Sequence, residues 1–133
     1  MRDIEIRISK DLVLRKLKDV MKMEDLEIEL LGDTFRLILK VGAFIFKMPI
    51  SISIKLLETQ RTPEDPLVFE IIANPFVKAI IQKSGIDGKG IKIVDGYVKI
   101  YPAELIPIMK TFTVDSVEFL EDSIFVALRF HEG

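Results

Sequence analysis

Few residues of this chain could take part in acid–base chemistry. Its single histidine, His131, stands near the last residue, where we expect a solvated rather than a catalytic side chain. Carboxylate pairs, which can serve as general acid and base, occur at Glu24-Asp25, Glu64-Asp65 and Glu121-Asp122. Each pair lies in a predicted loop or turn, where acidic side chains hydrogen-bond to the neighbouring backbone. We therefore predict no catalytic residue and no enzymatic activity.

The segment Gly85 to Gly90 superficially resembles a phosphate-binding loop. Phosphate loops precede a helix, whose free amides face the anion, whereas this segment follows a predicted helix. A helix C-cap that runs into a loop is the simpler interpretation. The absence of cysteine excludes disulfides, thiolate metal sites and cysteine nucleophiles. We predict no cofactor and no bound metal.

The composition is rich in both apolar and charged residues. The 133 residues are 49% hydrophobic and 30% charged, a length typical of a single domain and a profile common in proteins from hot environments. A net charge of −2 argues against a nucleic-acid partner, because such proteins usually carry a basic excess. The first residues alternate instead of forming an apolar leader, so we expect a cytoplasmic protein that could associate peripherally with a membrane.

The clearest structural signal is a two-residue alternation of apolar side chains between Thr34 and Leu57. This period predicts β-strand, because successive strand side chains point to opposite faces. The apolar residues change from odd to even positions near Gly42, which indicates a bulge, a bend or a tight turn at that glycine. The odd set is Phe35, Leu37, Leu39 and Val41; the even set is Phe44, Phe46, Met48, Ile50, Ile52, Ile54 and Leu56.

The order strand, short helix, hairpin recurs along the chain. We predict an α+β fold: a twisted, mostly antiparallel sheet with three short helices, built either from duplicated units or as an ordinary meander. The predicted strands are 4–8, 26–30, 68–73, 91–93, 97–101, 114–120 and 124–130, and the predicted helices begin near Leu12, Pro75 and Pro102. Asp95-Gly96 is the strongest hairpin signal, and Thr59 to Pro66 is predicted as a loop.

Basic side chains surround the apolar stripe of the first predicted helix. They are Lys10, Arg15, Lys16, Lys18 and Lys22. One interpretation is a solvated face on a helix that covers a core. The alternative is an interfacial helix that binds an anionic membrane surface or another anionic partner.

The even-numbered apolar positions predict a wall of large side chains that three short helices would be too few to cover. Such a face must be covered by helices, by another subunit or by an apolar ligand. We predict that the protein binds a lipid or another apolar ligand through this face; the alternative is a structural protein that buries it in a homo-oligomer. The predicted ligand-binding residues are Phe44, Phe46, Met48, Ile50 and Ile52.

Four segments carry a resemblance to a known family: the helix-forming Ile8 to Leu17, the proline-containing strand Met48 to Ile54, the strand pair about Asp95-Gly96, and the closing Phe112 to Val126. Their order resembles the C-terminal half of LmeA-like phospholipid-binding proteins, which are similar to tubular lipid-binding (TULIP) domains. The resemblance implies a curved sheet around a helix and a lipid channel lined by Phe44, Phe46, Ile50 and Ile52. The chain is shorter than that family's pattern, so closure of a channel could require a dimer.

A second resemblance covers Met1 to Leu39, a strand, a helix and a hairpin with Leu-Gly-Asp at its turn. This order resembles the first unit of a DNA sliding-clamp domain. A single domain of this length could not form the clamp ring alone.

Overall fold

Two antiparallel sheets dominate the fold. The computed structural model describes residues 4–22, 24–43, 46–75, 77–79 and 88–131, and for residues 20, 21, 41–43 and 46–48 it describes the backbone alone. The strands within these ranges are β1 (Ile4–Ser9), β2 (Leu26–Leu31), β3 (Thr34–Ala43), β4 (Phe46–Glu58), β5 (Leu67–Ile72), β6 (Ile91–Val94), β7 (Tyr97–Ile100), β8 (Phe112–Phe119) and β9 (Ser123–Phe130). The helices are α1 (Lys10–Met21), α2 (Pro102–Leu105) and a 3₁₀ helix (Pro107–Thr111), and residues 75 and 77–79 are also helical.

The predicted antiparallel α+β character is confirmed, but the strands divide between two sheets. One sheet has six strands in the order β2-β3-β4-β5-β7-β6, and the other has three in the order β1-β9-β8. The elements follow the predicted order of strand, helix and hairpin, but the strands of the two units are distributed differently between the two sheets. In the first unit β1 lies in the smaller sheet and its hairpin in the larger one, whereas β5, β6 and β7 share one sheet. Duplication of a unit stays a prediction.

The parity change near Gly42 marks a hairpin. β3 and β4 pair with each other from Thr34 opposite Lys55 to Ala43 opposite Phe46, which leaves two residues for the connection. Because paired residues share a face, Phe35, opposite Ile54, and Leu37, opposite Ile52, lie on one side of the sheet. Where side chains are described, the odd apolar positions of β3 and the even apolar positions of β4 therefore lie on one face of two antiparallel strands.

Local signals placed the turns and helix starts correctly. Asp95 and Gly96 both have positive φ, 49° and 82°, which is the requirement of the two-residue turn that Asp-Gly favours. The Ser9 hydroxyl accepts a hydrogen bond from the Leu12 amide at 3.2 Å and begins α1. Asn74 Oδ1 accepts one from the Val77 amide at 2.8 Å in the same manner.

The core has two parts. The first lies between α1, the helical residues after Asn74 and the six-stranded sheet; its buried members are Leu26, Ile28, Leu37, Leu39, Ile52, Ile71 and Val77. The second lies between the two sheets; its buried members are Leu30, Leu67, Phe69, Val114, Phe119 and Leu128. Phe35 and Ile54 pack against both parts, so the sequence alternation of β3 and β4 joins them.

The smaller sheet is fixed to the larger one by backbone pairing at both ends of β8. Gly32, at the turn between β2 and β3, and Phe119 exchange two N–H···O bonds of 2.7 Å. At the other end the backbone N–H of Gln60 donates to the Val114 carbonyl at 3.2 Å. Strand β8 thus runs across the ends of the larger sheet and closes one side of the core.

Candidate functional site

The described part of the predicted apolar wall lies in the core. Ile52 is 8% exposed and belongs to the first core cluster, and the half-buried Ile50 packs against it. Val13, Leu14 and Leu17 of α1 pack on the same cluster. Within residues 50–56, Ile50 and Ile54 pack against the cluster that α1 covers, and Ile54 and Leu56 pack against the cluster that the smaller sheet covers. The smaller sheet therefore adds to the cover that the helices give.

The other predicted lining residues fall at the hairpin end of the same strands. Phe44 lies outside the described residues. The backbone of Phe46 pairs with Ala43, and that of Met48 with Val41. The ligand-binding role of all five residues stays a prediction, and the structure brings together Ile50 and Ile52 with the apolar side of α1.

The basic residues of α1 lie on a helix whose apolar stripe is committed to the core. Arg15, Lys16 and Lys22 are exposed, whereas Lys10 and Lys18 are half-buried. A helix that inserts into a membrane interface must offer its apolar face to the lipid, and here that face contacts protein. The exposed cations remain available for attraction to an anionic surface.

The largest exposed apolar feature in consecutive residues lies elsewhere, in the connection between α2 and the 3₁₀ helix. Leu105, Ile106 and Ile108 expose 44%, 55% and 66% of their surface, and no other large apolar side chain of the described residues is as exposed as Ile108. We call these three residues the apolar segment. This concentration of exposed aliphatic side chains makes the apolar segment a candidate contact site.

Two prolines produce the exposure of the apolar segment. Pro102 begins α2, and Pro107 prevents α2 from continuing, so Ile106 takes an extended conformation with φ −132° and ψ 110°. The Ile106 amide still donates to the Pro102 carbonyl at 2.8 Å, and the Thr111 hydroxyl donates to the Ile108 carbonyl at 2.9 Å. Backbone hydrogen bonds therefore hold the segment while its side chains face solvent.

Further apolar side chains continue from the 3₁₀ helix into the smaller sheet. Met109 and Phe112 pack against the second core cluster. Phe112 meets Phe130 edge-on, with ring centroids 6.0 Å apart, and Phe130 is 52% exposed. The His131 amide donates to the Thr111 carbonyl at 2.8 Å, which ties the end of β9 to the 3₁₀ helix.

Charged groups lie beside this apolar region. A surface depression of about 280 Å³ is lined by Glu64, Tyr101, Ala103, Glu104 and Lys110. Glu104 and Lys110 flank the apolar segment in the sequence, and both are exposed, so charges of both signs lie near its two ends.

Two of the acidic pairs contain a carboxylate with a partner in the fold. The Asp65 carboxylate accepts hydrogen bonds from the Thr62 and Arg61 amides at 3.0 and 3.1 Å, and these bonds lower the pKa of Asp65 below its ordinary value. Asp122 forms an exposed ion pair with Arg7 at 3.7 Å. Across the described ranges, no three His, Cys, Asp or Glu side chains are close enough together to hold a metal ion.

The comparisons with known proteins give no relatives. No family model, curated protein or solved structure matches this chain. In the part of the chain that the structure describes, no helix has both the length and the apolar character needed to cross a bilayer. Function must therefore be argued from the surface itself.

Sequence reasoning did not predict the exposure of the apolar segment or the role of Gln60. The pattern Pro-Ala-Glu-Leu-Ile-Pro-Ile predicts a short helix from Pro102 that is kinked or ends near Pro107. It does not show whether the rest of the fold covers Leu105 and Ile106. Gln60, which is 6% exposed, carried no recognisable signal at all.

Proposed function

We propose that this protein binds lipid-like molecules without catalysing a reaction, and that the apolar segment makes the contact. The observation that carries the proposal is the exposure of three aliphatic side chains within four consecutive residues. The resemblance to tubular lipid-binding domains in the order of elements supports the same class of ligand. A peripheral association with an anionic membrane surface follows as part of this proposal.

The size of the apolar segment sets the expected strength of binding. Complete burial of a large aliphatic side chain is worth about 1.5–3 kcal/mol, so three half-exposed chains contribute about 2–4 kcal/mol together. That free energy corresponds to a dissociation constant of about 1 mM or weaker. Each lysine or arginine near an anionic surface adds about 1 kcal/mol, so Lys110, two residues after Ile108, would raise the affinity. Weak, charge-dependent and reversible binding is the expected behaviour.

Vesicle flotation tests this proposal directly. The full chain should float with phosphatidylcholine vesicles that contain phosphatidylglycerol and less with phosphatidylcholine alone. Joint replacement Ile106→Ser and Ile108→Ser should weaken binding about tenfold or more. The matched control is Leu57→Ser with Ile72→Ser, since these side chains are 46% and 48% exposed on the six-stranded sheet. Equal binding by both double variants would contradict the proposed contact site.

An enclosed ligand is the second form of the same proposal. The predicted lining includes Phe44, Phe46, Met48, Ile50 and Ile52, and a ligand that reached Ile52 would have to displace the packing of α1 on the sheet. Native mass spectrometry of the purified chain distinguishes the two forms. A retained lipid supports the enclosed site, whereas bare protein that still binds vesicles supports surface contact alone.

The rival function is a homo-oligomer that buries the same sheet face. Ile52 is 8% exposed and the half-buried Ile50 packs against the same cluster, so little of either side chain is left for a partner subunit. This burial supports ligand contact at the apolar segment rather than assembly through residues 50–52.

A further inference from the structure

Strand β1 is the last strand of the smaller sheet. Its one neighbour in the sheet order of the described residues is β9, and the opposite end of that sheet, β8, is joined to Gly32 and Gln60 of the rest of the fold. A terminal strand presents backbone donors and acceptors along its outer side, and proteins normally protect such an edge. β1 has an edge that another strand can reach.

The apolar face of β1 extends past the core of the single copy. Register places Ile4 opposite Leu128 and Ile6 opposite Val126, so these isoleucines share the face that is turned toward the larger sheet. Leu128 is 4% exposed, whereas Ile4 and Ile6 are 40% and 41% exposed. The larger sheet covers Leu128 of β9 but leaves Ile4 and Ile6 of β1 partly exposed to solvent.

The sequence of β1 is complementary to itself in the antiparallel direction. The strand reads Ile4-Glu5-Ile6-Arg7-Ile8. If two copies pair with Ile6 opposite Ile6, then Glu5 of each copy stands opposite Arg7 of the other, and Ile4 stands opposite Ile8. Opposite charges directly across two strands stabilise a pair, and like charges destabilise it. Arg7 is 61% exposed and pairs with Asp122 of its own copy at 3.7 Å, so a Glu5 carboxylate from a second copy has to share or replace that ion pair.

We propose that a second copy of this chain pairs through β1, in the antiparallel direction and centred on Ile6. The interface is isologous, because the same residues contribute from both copies. It joins two three-stranded sheets into one continuous sheet and places Ile4 and Ile6 of each copy beside the isoleucines of the other. Strand addition supplies the affinity through backbone hydrogen bonds, and the Glu5–Arg7 pairs set the register.

Charge exchange tests the register. Sedimentation velocity of the full chain should show a concentration-dependent dimer, and Arg7→Glu should weaken it about tenfold or more, because Glu5 then faces a glutamate. Glu5→Arg should act in the same direction, and the double variant Glu5→Arg with Arg7→Glu should restore the dimer. Lys40→Glu, an exposed charge reversal on the larger sheet, is the control and should leave the dimer unchanged.

Cysteine cross-linking tests the centre of the interface independently. The chain has no cysteine, so Ile6→Cys gives one thiol per copy. On the two-fold axis the two thiols lie within disulfide reach, and oxidation should give a covalent dimer at low protein concentration. Val94→Cys, on the terminal strand β6 of the larger sheet, is the matched control. A monomer at all concentrations, a dimer that tolerates Arg7→Glu, or equal cross-linking of both cysteine variants would overturn the proposal.

Discussion

At the residue scale, Gln60 shows how one buried polar side chain can join distant parts of a chain. Its Nε2 donates to the carbonyls of Asp65 and Pro63 at 2.7 and 3.2 Å, and its Oε1 accepts from the Val114 amide at 2.8 Å. The bond to Val114 spans 54 positions in the sequence. Gln60 therefore organises its own loop and fixes that loop to β8.

Replacement of Gln60 by leucine should lower the free energy of unfolding by about 2–4 kcal/mol. The aliphatic side chain fills similar space but leaves the buried Val114 amide and two carbonyls without their partner, which costs about 1–3 kcal/mol for each group that water cannot reach. Urea unfolding followed by circular dichroism measures the change. Glu64→Gln, an exposed change in the same loop, is the control and should lower the free energy of unfolding little. Equal losses of free energy for the two variants would show that Gln60 does not fix the loop to β8.

At the element scale, the apolar segment depends on a glycine from another part of the fold. Gly90 has φ +81°, and a Cβ built there would lie 2.7 Å from Leu105 Cγ and 2.8 Å from Cδ2. The Tyr101 amide donates to the Gly90 carbonyl at 2.8 Å, which brings α2 against this turn. The position of Leu105 thus requires both the backbone freedom of glycine and its missing side chain.

Two glycine replacements separate these requirements. Gly96→Ala should cost about 1–2 kcal/mol for its positive φ alone, because its Cβ would meet only Lys78 Nζ, at 3.9 Å. Gly90→Ala should cost more, because the contact with Leu105 is added. Thermal or urea unfolding measures the loss of unfolding free energy for each variant. Adding Leu105→Ala to Gly90→Ala should reduce the extra loss, because it removes the atoms that the new Cβ would meet. Equal costs for the two glycines would mean that Leu105 moves aside freely.

At the scale of the whole molecule, two sheets share one interior. Phe119 is 5% exposed, its ring centroid lies 5.8 Å from that of Phe35 in the larger sheet, and its backbone pairs with Gly32. Aromatic contact and strand pairing at the same residue couple the smaller sheet to the larger one. The fold should therefore unfold as one cooperative unit.

Phe119→Ala tests this coupling. Removal of a buried phenylalanine should cost about 3–5 kcal/mol. Native-state hydrogen exchange should then show the same loss of protection for amides in β9 and in β3. Phe125→Ala is the control, because this half-buried ring lies on the other face of the smaller sheet. The guanidinium carbon of Arg7 lies 5.3 Å from its ring centroid. Loss of protection in β9 alone would show that the two sheets unfold separately.

The sequence alone determined the local structure of this protein. Alternation, capping residues and turn residues located the strands, the start of α1 and the hairpin at Asp95-Gly96, because these signals depend on neighbours within a few positions. The same alternation predicted which side chains are apolar on each of β3 and β4, but the common face of the two strands followed only from their pairing. It could not show what covers that face.

Tertiary structure decided the division into two sheets and the location of the exposed apolar surface. Ile52 is buried in the cluster against which α1 packs, and Ile54 packs in addition against the cluster that holds residues of the smaller sheet; no local pattern encodes such distant packing. Pro107 contributes to the exposure of Ile106 and Ile108, and its effect on the helix can be read from the sequence. Within the described structure no other element covers these two side chains, and the sequence could not show this. Periodicity records that a face is apolar; only the arrangement of the other elements decides whether protein or water meets it.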